Sequence, residues 1–450
     1  MPDEVEDIYA IEFEYQNLLD RINAEYPEYF SFRHTLEVPG ISDFRASLDF
    51  EDLNVILFSQ TATGLYALII DTDDERLVRL DAGAFKYILD DYFQALASPS
   101  LRDYSGPGSR MFELVFEPIE DFLSGDRLIV IPDKDLFSVN FEALIRSEDR
   151  GHPHFLVEDY TLSYLMSATT HIQFQNIQRD ANKSLIAVSP GFSRESMEEY
   201  LRNVPDSIWI DEAYLSQLPQ PFAVDLAGEV NRLFSGSLLT GLDAGRYNVL
   251  NSIDQYGIIH FGTHAEINNQ SPLLSRFILS KDPEKSHIPN DGYVHVYDLY
   301  NTELNAELAV LMACETGEGK RSGSEGIVSL AHSFAYAGCP GVVMAMWKID
   351  EKTSSDLIRQ FYLGLKNELP KNEALRNAKL SHLDNSSLEL HAPFYWAGLI
   401  LVGDTDPLSL PVMAGIDYLS LWWFASVPLF ILLIIFYLKK YPKTRVVVES

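Results

Sequence analysis

Only Cys314 and Cys339 carry thiols among the 450 residues, and Cys314 closes an apolar run at the head of a glycine-rich loop, "LMACETGEGK", 311–320. A second apolar run, "YGIIHFGTH", ends at His264, fifty positions earlier. Thiol and imidazole together make a nucleophilic pair: the imidazole helps form the thiolate, takes its proton during attack and later protonates a leaving amine. The tetrahedral oxyanion of such a reaction needs two donors, and the backbone N–H groups of Cys314 and Ala265 are the candidates. Gly317, Gly319 and Gly323 leave the loop after Cys314 free to approach a ligand closely. A cysteine at a strand end also has a plain reading as a small buried residue.

Other residues each carry two readings. Glu325, in "SGSEG", closes a capping box with Ser322 at the start of a helix running to about 337, or faces a substrate cleft. Asp350, after "MAMWK", caps a helix beginning near Thr353 or lines a pocket for the residue before the cleaved bond, and acidic groups there would select Arg or Lys. His260 precedes His264 by four, but on a strand that spacing does not build a metal site, so it reads as a packed, hydrogen-bonded histidine. Cys339, in "YAGCPG", reads as a small core residue. "GEGKRSGSEG" fails as a phosphate loop because Arg321 stands where Ser or Thr must follow Gly-Lys. Lys320 and Arg321 form a candidate self-cleavage site. Two cysteines supply neither a disulfide framework nor a four-cysteine metal site, and Cys-His chemistry requires no metal or organic cofactor.

Those side chains have to be positioned by strands. From about 184 to 408, "SLIAVSP", "YGIIHFGTH", "LAVLMAC", "GVVMAMW" and "GLILVGD" are short, β-rich and almost continuously apolar, alternating with helical patterns. Strands buried on both faces look like this, which predicts an α/β fold with a mostly parallel sheet flanked by helices. In such sheets active sites gather at the carboxyl ends of the strands, so parallel neighbours would bring His264 and Cys314 to one rim. Before residue 176 the chain predicts a leading helix, "EDIYAIEFEYQNLLDRINAEY", a strand-like pair from 52 to 80, helical segments around 83–96 and 110–122, and the strand "DRLIVIP".

At 450 residues, two or three domains are expected. The formal charge of −32, from 66 acidic and 34 basic residues, repels phosphate backbones and argues against direct nucleic-acid binding. Residues 419–438, "LSLWWFASVPLFILLIIFYL", run twenty positions without a charge and read as a transmembrane helix flanked by interfacial aromatics. The tail 439–450 is basic, which predicts a cytoplasmic tail and an external large domain, yet "MPDEVEDIYAIEFEYQ" carries no export signal. The side of the membrane therefore stays open.

In order and spacing, the blocks "RLIVIPDKDLFSVNFEALI", "LIAVSPGF", "YGIIHFGTHAEI", "LAVLMACETGEG", "GSEGIVSLAHSFAYAGCPGVVMAMWKID", "EALRNAKL" and "APFYWAGLILVGD" resemble the CHAT domain family, bacterial caspase-like cysteine peptidases related to separase. The His-to-Cys separation is also about that of caspases. The resemblance implies a caspase-like fold in which a degenerate protease-like half (49–176) precedes the catalytic half (177–408), with 1–48 as a helical leader ending an upstream repeat region. It also implies peptide-bond hydrolysis, with His264 and Cys314 at the family's catalytic positions. The family usually has Gly after the histidine, where this chain has Ala265. The expected function is a membrane-anchored cysteine endopeptidase of a bacterial signalling or defence pathway, acting on a protein substrate and controlled by an upstream or separate sensor. The alternatives are a catalytically silent caspase-like scaffold tethered to the membrane, which Ala265 favours, and a thiol transferase.

Overall fold

The structure, a computed structural model, describes residues 39–409 apart from 176–178, 180–182, 205–210, 269, 283–290, 313, 316–323 and 349, together with residues 17, 18, 20, 21 and 24; for Cys314, Glu315 and 324–329 it describes the backbone. Both the transmembrane expectation at 419–438 and the basic tail lie outside the described residues, and among those described no helix is long and apolar enough to cross a membrane. Most of the leading helix and the Lys320-Arg321 pair also lie outside them.

The first part of the chain supplies β1 (Leu53–Thr61), β2 (Gly64–Ile70), β3 (Glu75–Leu80), β4 (Arg127–Ile131), the hairpin β5 (Ile145–Asp149) and β6 (His152–Phe155), and β7 (Thr161–Tyr164). The expected strand pair is thus three strands, because "ERLVRL" extends the meander: Glu75, Arg76 and Arg79 are exposed charges of the kind that blunt an edge strand. Helices α1 (Phe85–Leu96) and α2 (Leu101–Val115) follow. The second helix begins earlier than its sequence suggests. Ser100 caps it by accepting from the Asp103 N–H, and it runs through Pro107, where Gly108 packs closely against Tyr104 and Ile145.

The later part contributes β8 (Lys183–Ser189), β9 (Ser237–Thr240), β10 (Tyr256–Phe261), β11 (His264–Glu266), β12 (Arg276–Ile278), β13 (Tyr293–His295), β14 (Leu308–Leu311), β15 (Cys314–Glu315), β16 (Gly341–Ala345) and β17 (Leu399–Gly403). Its main helices are α3 (Pro221–Phe234), α4 (Ser324–Tyr336), α5 (Glu351–Lys366) and α6 (Lys371–Asn385). As the continuous apolar runs predict, every residue of β10, β14 and β16 is buried.

These strands form a mixed α/β architecture around one 11-stranded sheet, in the order β3-β2-β1-β4-β7-β17-β16-β14-β10-β8-β9. It is parallel except along β3-β2-β1 and between β17 and β16. Because β17 turns against β16 while pairing parallel to β7, through Val402 and Tyr164, the parallel strands of the first part run opposite to those of the second. One hydrophobic core reaches from Ile56 to Val402, so the two parts share a sheet and a core. Helix α3 packs on β8 and α5, and α5 packs on α6, covering one face of the sheet region that carries β10 and β14.

Candidate functional site

Strands β10 and β14 are parallel neighbours whose last paired residues are Phe261 and Leu311. Beyond them both chains leave the main sheet together. They re-pair as β11 and β15 in a second sheet, ordered β13-β12-β11-β15, where His264 stands directly opposite Cys314 and Ala265 opposite Glu315. The backbone register thus brings His264 and Cys314 to one rim, about one strand spacing of 4.8 Å apart. Ala265 is buried and flanked by β12 as well as β15.

The imidazole of His264 is half-buried and held at two points. Its Nε2 lies 2.8 Å from the Leu218 carbonyl oxygen, and its ring packs on Phe192 at a centroid distance of 5.1 Å. A carbonyl only accepts, so Nε2 carries the proton and Nδ1 keeps a lone pair. Burial pushes the His264 pKa below the ordinary imidazole value; the Leu218 carbonyl opposes this, and the positive charge of Lys348, on the loop after β16, adds to it. The ring is thereby kept neutral and able to accept a proton near pH 7.

Phe192 reaches His264 at a conformational cost. It has φ +47°, directly after Gly191 at φ +77°, where β8 hands over to the next loop. A bulky residue in the left-handed region is strained, and its packing against His264 and Tyr214 compensates. Neither Phe192 nor Leu218 is legible as a site residue from its type. The signal present was position alone: Phe192 closes the block "LIAVSPGF" just beyond a buried strand.

The remaining candidates separate clearly. Asp350 is the N-cap of α5: its Oδ1 accepts from the Thr353 N–H at 2.9 Å and from the Thr353 hydroxyl at 2.7 Å. The helix therefore begins at Glu351, slightly ahead of the expected start. Glu325 lies in the first turn of α4, and Ser322 lies outside the described residues. His260 is fully buried, its Nδ1 3.1 Å from the Tyr362 hydroxyl, and burial lowers its pKa to about 3. Cys339 is fully buried beside the Gly341 carbonyl, and burial pushes its thiol up to about 12.

Comparison with known proteins gives three results. The CHAT domain profile matches residues 105–404. Among curated proteins, tetratricopeptide repeat protein 28 of Mus musculus is 25% identical over 226 residues, and that of Homo sapiens 24% over 221; each match covers 43% of this chain and 9% of the relative, so the chain spans only a small fraction of their length. Among solved structures, the Saccharomyces cerevisiae separase–securin complex aligns with 80% of this chain and 30% of its own at 10% identity and TM-score 0.45. The Arg-specific cysteine proteinase gingipain R aligns with 72% and 75% at 10% identity and TM-score 0.34. With a match that takes in most of the sequence, from α2 through β17, the chain belongs to the CHAT domain family.

Proposed function

We propose that the chain is a cysteine endopeptidase in which Cys314 is the nucleophile and His264 the general base and acid. The observation that carries this reading is the register of β11 and β15, which sets His264 opposite Cys314. The fixed tautomer adds to it: with Nε2–H committed to Leu218, Nδ1 is the base. Nδ1 takes the thiol proton as sulfur attacks the peptide carbonyl carbon, and the carbonyl π electrons move onto oxygen. The oxyanion is received by the N–H groups of Cys314 and Ala265. Collapse expels the amine, which receives the proton from the imidazolium, and leaves a thioester. Water, deprotonated by the same imidazole, then releases the carboxylic acid and regenerates the thiol.

In this reading residues 49–176 are a protease-like half without a catalytic pair, and 177–408 the catalytic half. The parallel run β1-β4-β7 beside β17 supports that division. Residues 419–438 anchor the chain in a membrane, on the strength of twenty uncharged positions with aromatic flanks. Besides capping α5, Asp350 lies with Glu325 in or near the substrate cleft, and the two bias it toward a basic residue before the cleaved bond. The substrate is a protein, bound as an added extended strand, and an upstream or separate sensor controls access in a bacterial signalling or defence pathway. The second reading, a silent membrane-tethered scaffold, is favoured by the extra Cβ of Ala265 beside the oxyanion position.

The test is labelling by thiol-reactive peptidyl probes carrying Arg or Ala before the reactive carbon, applied to membranes containing the chain, Cys314→Ala, His264→Ala, or a chain lacking 419–450. Expected are loss of label in both point variants with Cys339 intact, preference for the Arg probe, and release of the truncated chain from the membrane fraction. Labelling indifferent to His264→Ala removes the peptidase reading in favour of the scaffold. Equal labelling by both probes removes the basic preference, and retention of the truncated chain in membranes removes the anchor.

A further inference from the structure

Both contacts that hold the His264 ring trace back to one short segment. Leu218, whose carbonyl accepts from Nε2, stands just before α3, with only Pro219 and Gln220 between. The Gln220 N–H donates to the Gly191 carbonyl at 3.0 Å, tying the same segment to the loop that carries Phe192. How well the imidazole is fixed therefore depends on how well the start of α3 is fixed.

That start lacks its own cap. Gln220 occupies the N-cap position without a side-chain capping bond, and its buried Oε1 has no partner among the described residues. The first-turn N–H groups are orphan donors whose usual acceptor would be that side chain. Glu351 supplies the acceptor from a different element. Its Oε1 accepts from the Ala223 N–H at 3.1 Å, and the Phe222 N–H is turned to the same carboxylate. Glu351 is the first residue of α5, only a few positions beyond Trp347 in the loop after β16, and α5 packs along α3.

From this geometry we infer that Glu351 is a positioning residue: its carboxylate caps α3 in trans and so holds the Leu218 carbonyl where it fixes the proton on Nε2 of His264. The inference deepens the peptidase reading and rests on it for its kinetic consequence, but its structural content concerns the imidazole alone. Losing the cap lets the segment 218–220 drift, frees Nε2–H, and allows the proton to move to Nδ1, the atom that has to accept from the thiol. Misplacement of about 1 Å at such a group slows chemistry by roughly tenfold to a hundredfold.

The experiment uses the 450-residue chain with 15N-histidine, comparing wild type with Glu351→Ala, Glu351→Gln and, as a loss of a helix cap elsewhere, Ser100→Ala, whose hydroxyl caps α2. Two readouts are taken: the ring-nitrogen signals of His264, assigned by their loss in His264→Ala, and the rate at which iodoacetamide alkylates Cys314. Expected are a single Nε2–H tautomer in wild type, a mixed population in Glu351→Ala with alkylation slowed roughly tenfold or more, and recovery of both in Glu351→Gln, whose amide oxygen still accepts. An unchanged tautomer in Glu351→Ala overturns the inference, as does an equal shift in Ser100→Ala. A mixed tautomer combined with alkylation that does not respond to His264→Ala leaves the positioning role standing and removes the peptidase reading instead.

Discussion

Phe192 shows how a single residue can be strained for the sake of its neighbour. At φ +47° a side chain costs roughly 1–2 kcal/mol relative to right-handed backbone, and glycine escapes most of that. In ordinary helix or strand positions alanine outperforms glycine by about 0.5–1 kcal/mol. At Phe192 the order should invert: Phe192→Gly should be more stable than Phe192→Ala by about 1 kcal/mol in urea unfolding, although both lose the buried ring. If alanine is equal or better, the left-handed conformation is not being imposed. Both variants also remove the ring that packs on His264, so both should slow alkylation of Cys314 whatever their order in stability.

At the level of elements, what the sequence discloses is burial. β10, β14 and β16 are readable because both faces are covered, leaving no polar alternation, and the juxtaposition of His264 with Cys314 is readable because both stand just beyond the ends of neighbouring runs. The third strand of the meander and the early start of α2 are less visible, since "ERLVRL" is mostly exposed and "SGPG" mimics a helix break. The Leu218 carbonyl leaves no trace in residue type, because every residue carries the same acceptor. His260 is legible as a packed histidine on β10, and it carries a pH consequence. Its native pKa of about 3 lies below the unfolded value near 6.5, so between those values the unfolded chain binds a proton that the native chain does not. Stability from this group is complete above about pH 6.5 and is lost, by up to about 1.4 kcal/mol per pH unit, as pH falls toward 3. Other buried histidines add in the same direction, so the difference between wild type and His260→Gln isolates the effect. That difference, measured by urea unfolding from pH 7 to pH 4, should shrink steadily with acid; parallel profiles would contradict a neutral buried His260.

Across the whole molecule, the two parts of the chain are joined by more than the single β7–β17 pairing. Glu142, on a turn of the first part, and Lys379, on α6 of the second, form an ion pair at 2.6 Å with both side chains buried. Burial pushes the Glu142 pKa up and the Lys379 pKa down, each opposed by the charge of the other. Nearby, buried Asn140 donates to the Ala397 carbonyl at 2.6 Å and contacts the Met346 sulfur, while Arg376 donates to the carbonyls of Val157 and Glu158. The loop after β4 is thus fastened beside the end of β16, close to the rim that carries His264 and Cys314. A buried pair adds little net stability compared with well-packed apolar residues, but removing one member strands the other's charge at a cost of about 3–5 kcal/mol. Lys379→Met should therefore destabilise the chain by about that much, and adding Glu142→Leu should recover most of the loss, because no charge is then left buried. A double variant as unstable as the single would mean that the pair itself, through its fit and direction, holds the two parts in register. Recovery of stability without recovery of Cys314 alkylation would separate the two roles, with apolar packing sufficient to join the parts and the ion pair needed to set the loop after β4 against β16.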